Sequence, residues 1–214
     1  MSDPNVDRSR FDAVTFDVDG TLYPLGLQKA LLLPYLLRHP LLLSRYSGVV
    51  EQVRSDGVVS DDLRGEVARR LGEQVGANPD RARQVIDQVV HGAWPATFSP
   101  RTAFAGLHEV FAALDASGLP RAVVSDYPPE QKLANMGILE GWAALISCEG
   151  LGAYKPNPLG LEAAAAAMGV PVDRILHIGD REDTDGEMAT EAGAACLILG
   201  RDFRRMEQLA EVFA

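Results

Sequence analysis

Asp17 and Asp19 stand two residues apart at the end of the apolar run Ala13-Val14-Thr15-Phe16, and Gly20 follows at once. Other polar positions stand in the same relation to later apolar runs. Ser125 and Asp126 follow Arg121-Ala122-Val123-Val124, Lys155-Pro156 lies in the loop after Ala144 to Cys148, and Gly179-Asp180 closes Arg174 to Ile178, with Asp183 and Asp185 close behind. Taken singly, each has an ordinary explanation. Asp-x-Asp-Gly is a common polar turn and a serine is a common cap. A lysine is usually a solvated surface residue, and the acidic run from Asp180 to Glu187 suits the first turn of a helix. Lys155 is nevertheless one of three lysines in a chain with 17 arginines, so it is not the default cation here.

Together these residues have a chemistry that none has alone. Carboxylates gathered at one place repel one another unless a cation sits among them. Mg²⁺ suits such a cluster, because it takes a few hard protein oxygens at about 2.0–2.1 Å and keeps room for water and a substrate phosphate. A serine hydroxyl and a lysine ammonium complete a site for a dianionic phosphoryl group. A calcium loop fits less well, since the third ligand before the glycine and the later Glu of an EF-hand are missing.

Positioning these groups requires strands whose carboxyl ends share an edge. From Thr97 onward the pattern alternates helix and strand: a helical face over Thr102 to Ser117, then the strands Arg121 to Val124, Ala144 to Cys148, Arg174 to Ile178 and Ala195 to Leu199. The run Ala163 to Ala167 is a good helix former. Such alternation implies right-handed crossovers, a mostly parallel sheet with helices on both faces, and ligand binding at the carboxyl edge. Gly26 to Trp94 carries helical signals and no convincing strand. Ser60 is the expected cap of a helix bearing Leu63, Val67 and Leu71, and Asn78-Pro79 opens another. That stretch is too long for an ordinary connection and is read as an inserted helical module.

With 214 residues, 47% hydrophobic and 23% charged, the chain has the composition of an ordinary globular protein. Its formal net charge of −10 disfavours nucleic acid as a partner. Cys148 and Cys196 are expected as buried thiols in strands rather than a disulfide. Together with a polar Met1 to Arg10, this predicts a cytoplasmic protein, monomeric or a homodimer, with no membrane partner. The leucine-rich segment Leu25 to Leu43 is broken by Pro34, Arg38, His39 and Pro40, so it falls short of the ~20 apolar residues of a spanning helix. It is expected to form a helix–helix core, or the lining of an apolar pocket. Tyr35, Arg38, His39 and Arg45 are its candidates for reaching a polar substrate.

Asp17-Val18-Asp19-Gly20-Thr21, Ser125, Lys155-Pro156 and Gly179-Asp180 with Asp185 resemble the four ordered motifs of the haloacid dehalogenase superfamily, and the resemblance covers nearly the whole chain. It implies an α/β fold with a Rossmann-like parallel-sheet core over 1–23 and 97–214 and an all-helical cap over 24–96, most similar to phosphoglycolate phosphatase-like members. It further implies Asp17 as nucleophile forming an aspartyl-phosphate, Asp19 as acid and then base, and Ser125, Asp126 and Lys155 binding the phosphoryl group. Mg²⁺ would be held by Asp17, the Asp19 backbone carbonyl and Asp180, with Asp185 supporting and Asp183 competing for that role. Dehalogenases of this superfamily lack an acid at the position of Asp19, so its presence implies hydrolysis of a small-molecule phosphate ester. A mutase of the β-phosphoglucomutase type would use the same residues, and a non-catalytic binding member would keep only the fold. Arg181 and Thr184 stand where serine and asparagine are frequent, which leaves the fourth motif's surroundings open.

Overall fold

A computed structural model of the chain describes residues 7–214, apart from the side chain of Leu27. Most of the polar amino-terminal stretch therefore lies outside the described residues. Among those described, β1 (Ala13–Phe16), β2 (Arg121–Ser125), β3 (Ala144–Ser147), β4 (Ile175–Gly179) and β5 (Ala195–Ile198) form one sheet in the order β3-β2-β1-β4-β5. Every pairing is parallel, with Phe16 beside Val123 on one side and Ile178 on the other. The chain goes one way from β1 through β2 to β3 and then crosses to β4. The switch in direction thus falls between β1 and β4, the place where open α/β sheets bind ligands.

The helices that follow β1 are α1 (Leu25–Leu31), α2 (Leu33–Arg38), α3 (Pro40–Ser55), α4 (Leu63–Val75), α5 (Pro79–Ile86) and α6 (Trp94–Ala96), with a π-helical stretch at Asp87–Ala93. The remaining α-helices are α7 (Leu107–Ser117), α8 (Glu130–Met136), α9 (Cys148–Leu151), α10 (Leu159–Met168), α11 (Glu187–Ala192) and α12 (Met206–Phe213), with a second π-helical stretch at Glu182–Gly186. Alternation along each strand decides which helices cover which face. Val14, Phe16, Val123 and Ile178 pack with Val110 and Leu114 of α7 and Leu209 of α12. Ala13, Ala122, Val124 and Ile175 pack with Leu161 and Ala164 of α10 and Met188 of α11. The strands are hydrophobic on both faces because both are covered.

Helices α3 to α5 close on a separate apolar cluster that includes Val49, Val53, Leu63, Val67, Leu71 and Val85. Asn78 caps α5 by accepting a hydrogen bond from the Asp80 N–H, with Pro79 following at the first helical position. The expected Ser60 cap is displaced: Asp62 caps α4, accepting from the Gly65 N–H, and Ser60 instead accepts from the N–H of Asp62. Helix α7 begins at Leu107 rather than Thr102, because the Phe104 N–H is used by the carbonyl of Leu22 and Gly106 takes a left-handed conformation. Cys148 opens α9 instead of ending β3; it is buried, Cys196 is half-buried, and both are free thiols.

The leucine-rich segment takes the second of its two expected forms. It does not form a closed helix–helix core: Leu25, Leu32, Leu36 and Leu43 line a cavity, while Leu33, Leu37 and Leu41 are exposed. Short helices broken at His39-Pro40 lack the length to pack all their leucines at once. Among the described residues no helix is long and apolar enough to cross a membrane.

Helix α10 lies close against the sheet at Gly160, where a Cβ would come within 2.7 Å of Val124 Cγ1 and 2.8 Å of Cys148 Sγ. Gly160→Ala gains up to ~1 kcal/mol of helix propensity but overpacks this contact at a cost of about 1–3 kcal/mol. A net loss of stability is expected in urea denaturation, with the midpoint lowered.

Candidate active site

The centre of the site is a buried ammonium between two carboxylates. Asp17 extends from the end of β1, and Lys155 lies in the loop between α9 and α10. Lys155 Nζ donates to Asp17 Oδ1 at 2.7 Å and to Asp185 Oδ1 at 2.7 Å, with all three side chains buried. Asp185 is held from every side. Its Oδ1 also meets His177 Nε2 at 3.1 Å, and its Oδ2 accepts the backbone N–H groups of Asp180 and Arg181, each at 3.2 Å. A carboxylate can only accept, so His177 carries its proton on Nε2, and its Nδ1 accepts the Thr15 hydroxyl at 2.9 Å. Burial lowers the pKa of His177, which keeps the ring neutral in this role.

Two glycines let the carboxylates come this close. A Cβ on Gly179 would collide with Asp185, and one on Gly20, whose φ is +103°, would collide with the Asp180 carboxylate. The resulting crowding moves the acids apart in strength. Burial and the neighbouring charges of Asp185, Asp180 and Asp19 raise Asp17 to about 8 despite Lys155. Burial and the charge of Asp185 raise Asp180 to about 6. Asp185 goes the other way: burial works against its charge, but Lys155 and His177 hold it well below the usual carboxylate range.

Asp17, Asp180 and Asp185 each offer an oxygen within 4.8 Å of the others. Asp17 Oδ2 is buried without a hydrogen-bond partner. A cluster of buried oxygens whose acids are driven toward the protonated form by mutual repulsion fits a small, hard divalent cation. Both oxygens of Asp185 are already engaged, so it holds the cluster's framework while Asp17 and Asp180 retain free valence.

Ser125 ends β2, two residues past the Phe16–Val123 pair, and its buried hydroxyl has no partner. Asp126 has its carboxylate engaged elsewhere, by Arg54 of α3 and by the Lys155 N–H at 3.0 Å. It therefore ties the inserted helices to the Lys155 loop. Asp183 is half outside, paired with Arg181, whose Nε donates to it at 2.9 Å. The structure thus brings Asp17, Asp180, Asp185 and Lys155 together and leaves Asp183 apart.

Asp19 is not one of the three clustered acids. Its carboxylate accepts from Lys132 Nζ of α8, at 2.6 Å to Oδ1, and from the Tyr23 hydroxyl. Lys132 is buried, 5.9 Å from the Trp94 ring centre and 5.7 Å from that of Tyr127. Burial and the nearby Asp19 raise the pKa of Tyr23, which keeps it a donor. Lys132, Tyr23, His177 and Arg54 are the residues that sequence reasoning passed over. The scarcity of lysine that marks Lys155 marks Lys132 equally, and a histidine inside a buried strand was a second available signal. Nothing local distinguished Arg54 among the arginines. Of the candidates Tyr35, Arg38, His39 and Arg45, none lines the cavity beside Asp19.

A parallel sheet with this switch point and this cluster at its edge defines a Rossmann-like α/β core. The family model for haloacid dehalogenase-like hydrolases matches residues 11–193, and the chain belongs to that family. The N-acetylmuramic acid 6-phosphate phosphatase of Pseudomonas aeruginosa is 28% identical over 192 residues, covering 87% of this chain and 80% of its own. Among solved structures, β-phosphoglucomutase from Clostridium difficile is similar at a TM-score of 0.67 and 12% identity, covering 93% of each chain. A predicted phosphoglycolate phosphatase from Haemophilus somnus is similar at 0.60 and 17%, covering 96% of this chain and 99% of its own. At these identities the two structures speak for the fold alone.

The raised pKa values of Asp17 and Asp180 give cation binding a definite pH dependence. A divalent ion such as Mg²⁺ must displace their protons, so affinity rises with pH through the range of about 6 to 8. The expected gain is roughly tenfold per pH unit for each proton displaced. Calorimetric titrations at pH 6 and 8, in buffers of different ionisation enthalpy, should show proton release at the lower pH.

Proposed function

We propose that this member of the family is a Mg²⁺-dependent phosphatase that hydrolyses a small-molecule phosphate monoester through an aspartyl-phosphate on Asp17. The observation that carries the reading is the division of labour between two acids. Asp17 keeps an unpartnered oxygen in the buried cluster, while Asp19 is held by Lys132 and Tyr23. A nucleophile and a proton donor with separate environments are what a two-step displacement needs. The phosphatase relative from Pseudomonas aeruginosa supports the reaction class.

In the proposed first step an Asp17 oxygen forms a bond to phosphorus as the ester P–O bond breaks, and Asp19 gives its proton to the leaving alkoxide. In the second, Asp19 takes a proton from water as the water oxygen attacks phosphorus, releasing inorganic phosphate and restoring Asp17. Ser125, the Asp126 N–H and Lys155 bind the phosphoryl oxygens, with Lys155 also offsetting the charge of Asp17. Asp17, Asp180 and the Asp19 carbonyl would hold Mg²⁺, which when bound supplies positive charge against the phosphoryl oxygens. Asp185 acts through others, fixing Lys155 and the Asp180 backbone. Residues 24–96 are proposed as a cap over the remaining 1–23 and 97–214, joined to the strand edge by Arg54–Asp126 and by Arg64, whose Nη2 lies 2.7 Å from Glu149. Two free thiols suit a reducing cytoplasm.

Phosphoenzyme trapping tests the assignment. Asp17→Asn should show no acid-stable phosphate label, whereas Asp19→Asn should accumulate label from an activated aryl ester and hydrolyse it slowly; equal labelling of the two would contradict the roles. Net release of inorganic phosphate separates hydrolysis from a mutase, which would move phosphate between hydroxyls. Lys132→Met should lower kcat/KM by about 10²-fold, the lower end of what general acid–base catalysis contributes.

A further inference from the structure

A cavity of about 440 Å³ opens beside Asp19, between the inserted helices and the strand edge. Its walls include Leu32, Leu36, Leu43, Val89, Val90 and Trp94. This volume lies within the range of sites that enclose an organic ligand. The position of Asp19 says what belongs there. If Asp19 protonates the leaving oxygen, the carbon attached to that oxygen must extend into the space that Asp19 itself lines.

The polar groups in the wall are largely spent on one another. Asp19 and Lys132 form an ion pair, and the Tyr46 hydroxyl donates to that of Tyr127 at 3.0 Å. Among the lining side chains this leaves Lys29, Ser47, the Tyr127 proton and the indole N–H of Trp94, which is buried without a partner. A polyol would bring several hydroxyls into the cavity, and each one buried without a partner weakens binding by roughly fivefold or more. An apolar group loses nothing there and gains from leaving water.

We propose that the substrate is the phosphate monoester of an apolar alcohol, alkyl or arylalkyl, whose hydrocarbon part fills this cavity. The inference rests on the phosphatase reading for the identity of the leaving side. Its test is independent of turnover: calorimetric binding of phosphonates, whose C–P bond resists hydrolysis, to the wild-type protein with Mg²⁺. Along the n-alkyl series from ethyl to hexyl, affinity should rise toward about fourfold per methylene. Propylphosphonate should bind at least fivefold more tightly than 2,3-dihydroxypropylphosphonate. Leu36→Asn, at a position already partly exposed, should flatten the chain-length slope. A flat series, or tighter binding of the dihydroxy compound, overturns the proposal even if the protein hydrolyses phosphate esters. A steep series in a protein that hydrolyses no ester sustains the pocket assignment and defeats the reaction instead.

Discussion

One buried ammonium shared by two carboxylates is the interaction on which the rest of the molecule depends. Three acids lie within a few ångströms of one another at the switch point of the sheet, and the Lys155 ammonium bridges two of them. Burying charges in this way is costly unless geometry and hydrogen bonds repay it. The repayment is visible: Asp185 accepts from Lys155, His177 and two backbone N–H groups, so the most deeply engaged acid is also the most strongly ionised. Asp17 and Asp180 do not receive the same support and are driven toward their protonated forms. The imbalance is what makes the cluster receptive to a cation.

The sheet supplies this arrangement through topology rather than through any one segment. Placing β1 in the middle, with β2 and β4 as its neighbours, brings the ends of all three strands to a single cleft. Hydrophobic residues on both faces of those strands demand helices on both sides, and the covered sheet then holds its carboxyl edge rigid. A site built on strand ends inherits that rigidity. Close glycines at 20 and 179 complete the approach, since any side chain there would separate the acids.

The inserted helices add a second environment beside Asp19. They carry their own apolar core, so they can fold against one another and still leave a wall free to face Asp19. Lys132 stands at the boundary, beside the rings of Trp94 and Tyr127 and paired to Asp19. One acid is thereby set among charges and the other at the edge of a hydrocarbon-lined space. On the proposed reading, that contrast separates attack on phosphorus from departure of the alcohol.

Much of this was legible along the chain, because its signals are local. The strand ends at Asp17, Ser125 and Asp180 follow from apolar runs meeting polar turn residues, and structure moved the strand limits by about one residue. The cap at Asn78 was equally legible, since an N-cap followed by proline is a property of adjacent residues. Where two neighbouring polar residues compete, as Ser60 and Asp62 do, each also has a distant partner: the Ser60 N–H donates to the Gly152 carbonyl and Arg83 of α5 donates to Asp62. Asp183 and Asp185 could not be told apart by type or spacing, and only the folded chain turns one inward to Lys155 and the other out to Arg181. The sequence by itself determined the order of strands and helices and the inventory of acids, through periodicity and turn chemistry. Tertiary structure alone decided that Lys132, 113 positions from Asp19, would be its partner, and that a leucine-rich segment would bound a cavity rather than fill a core, because both depend on which distant surfaces meet.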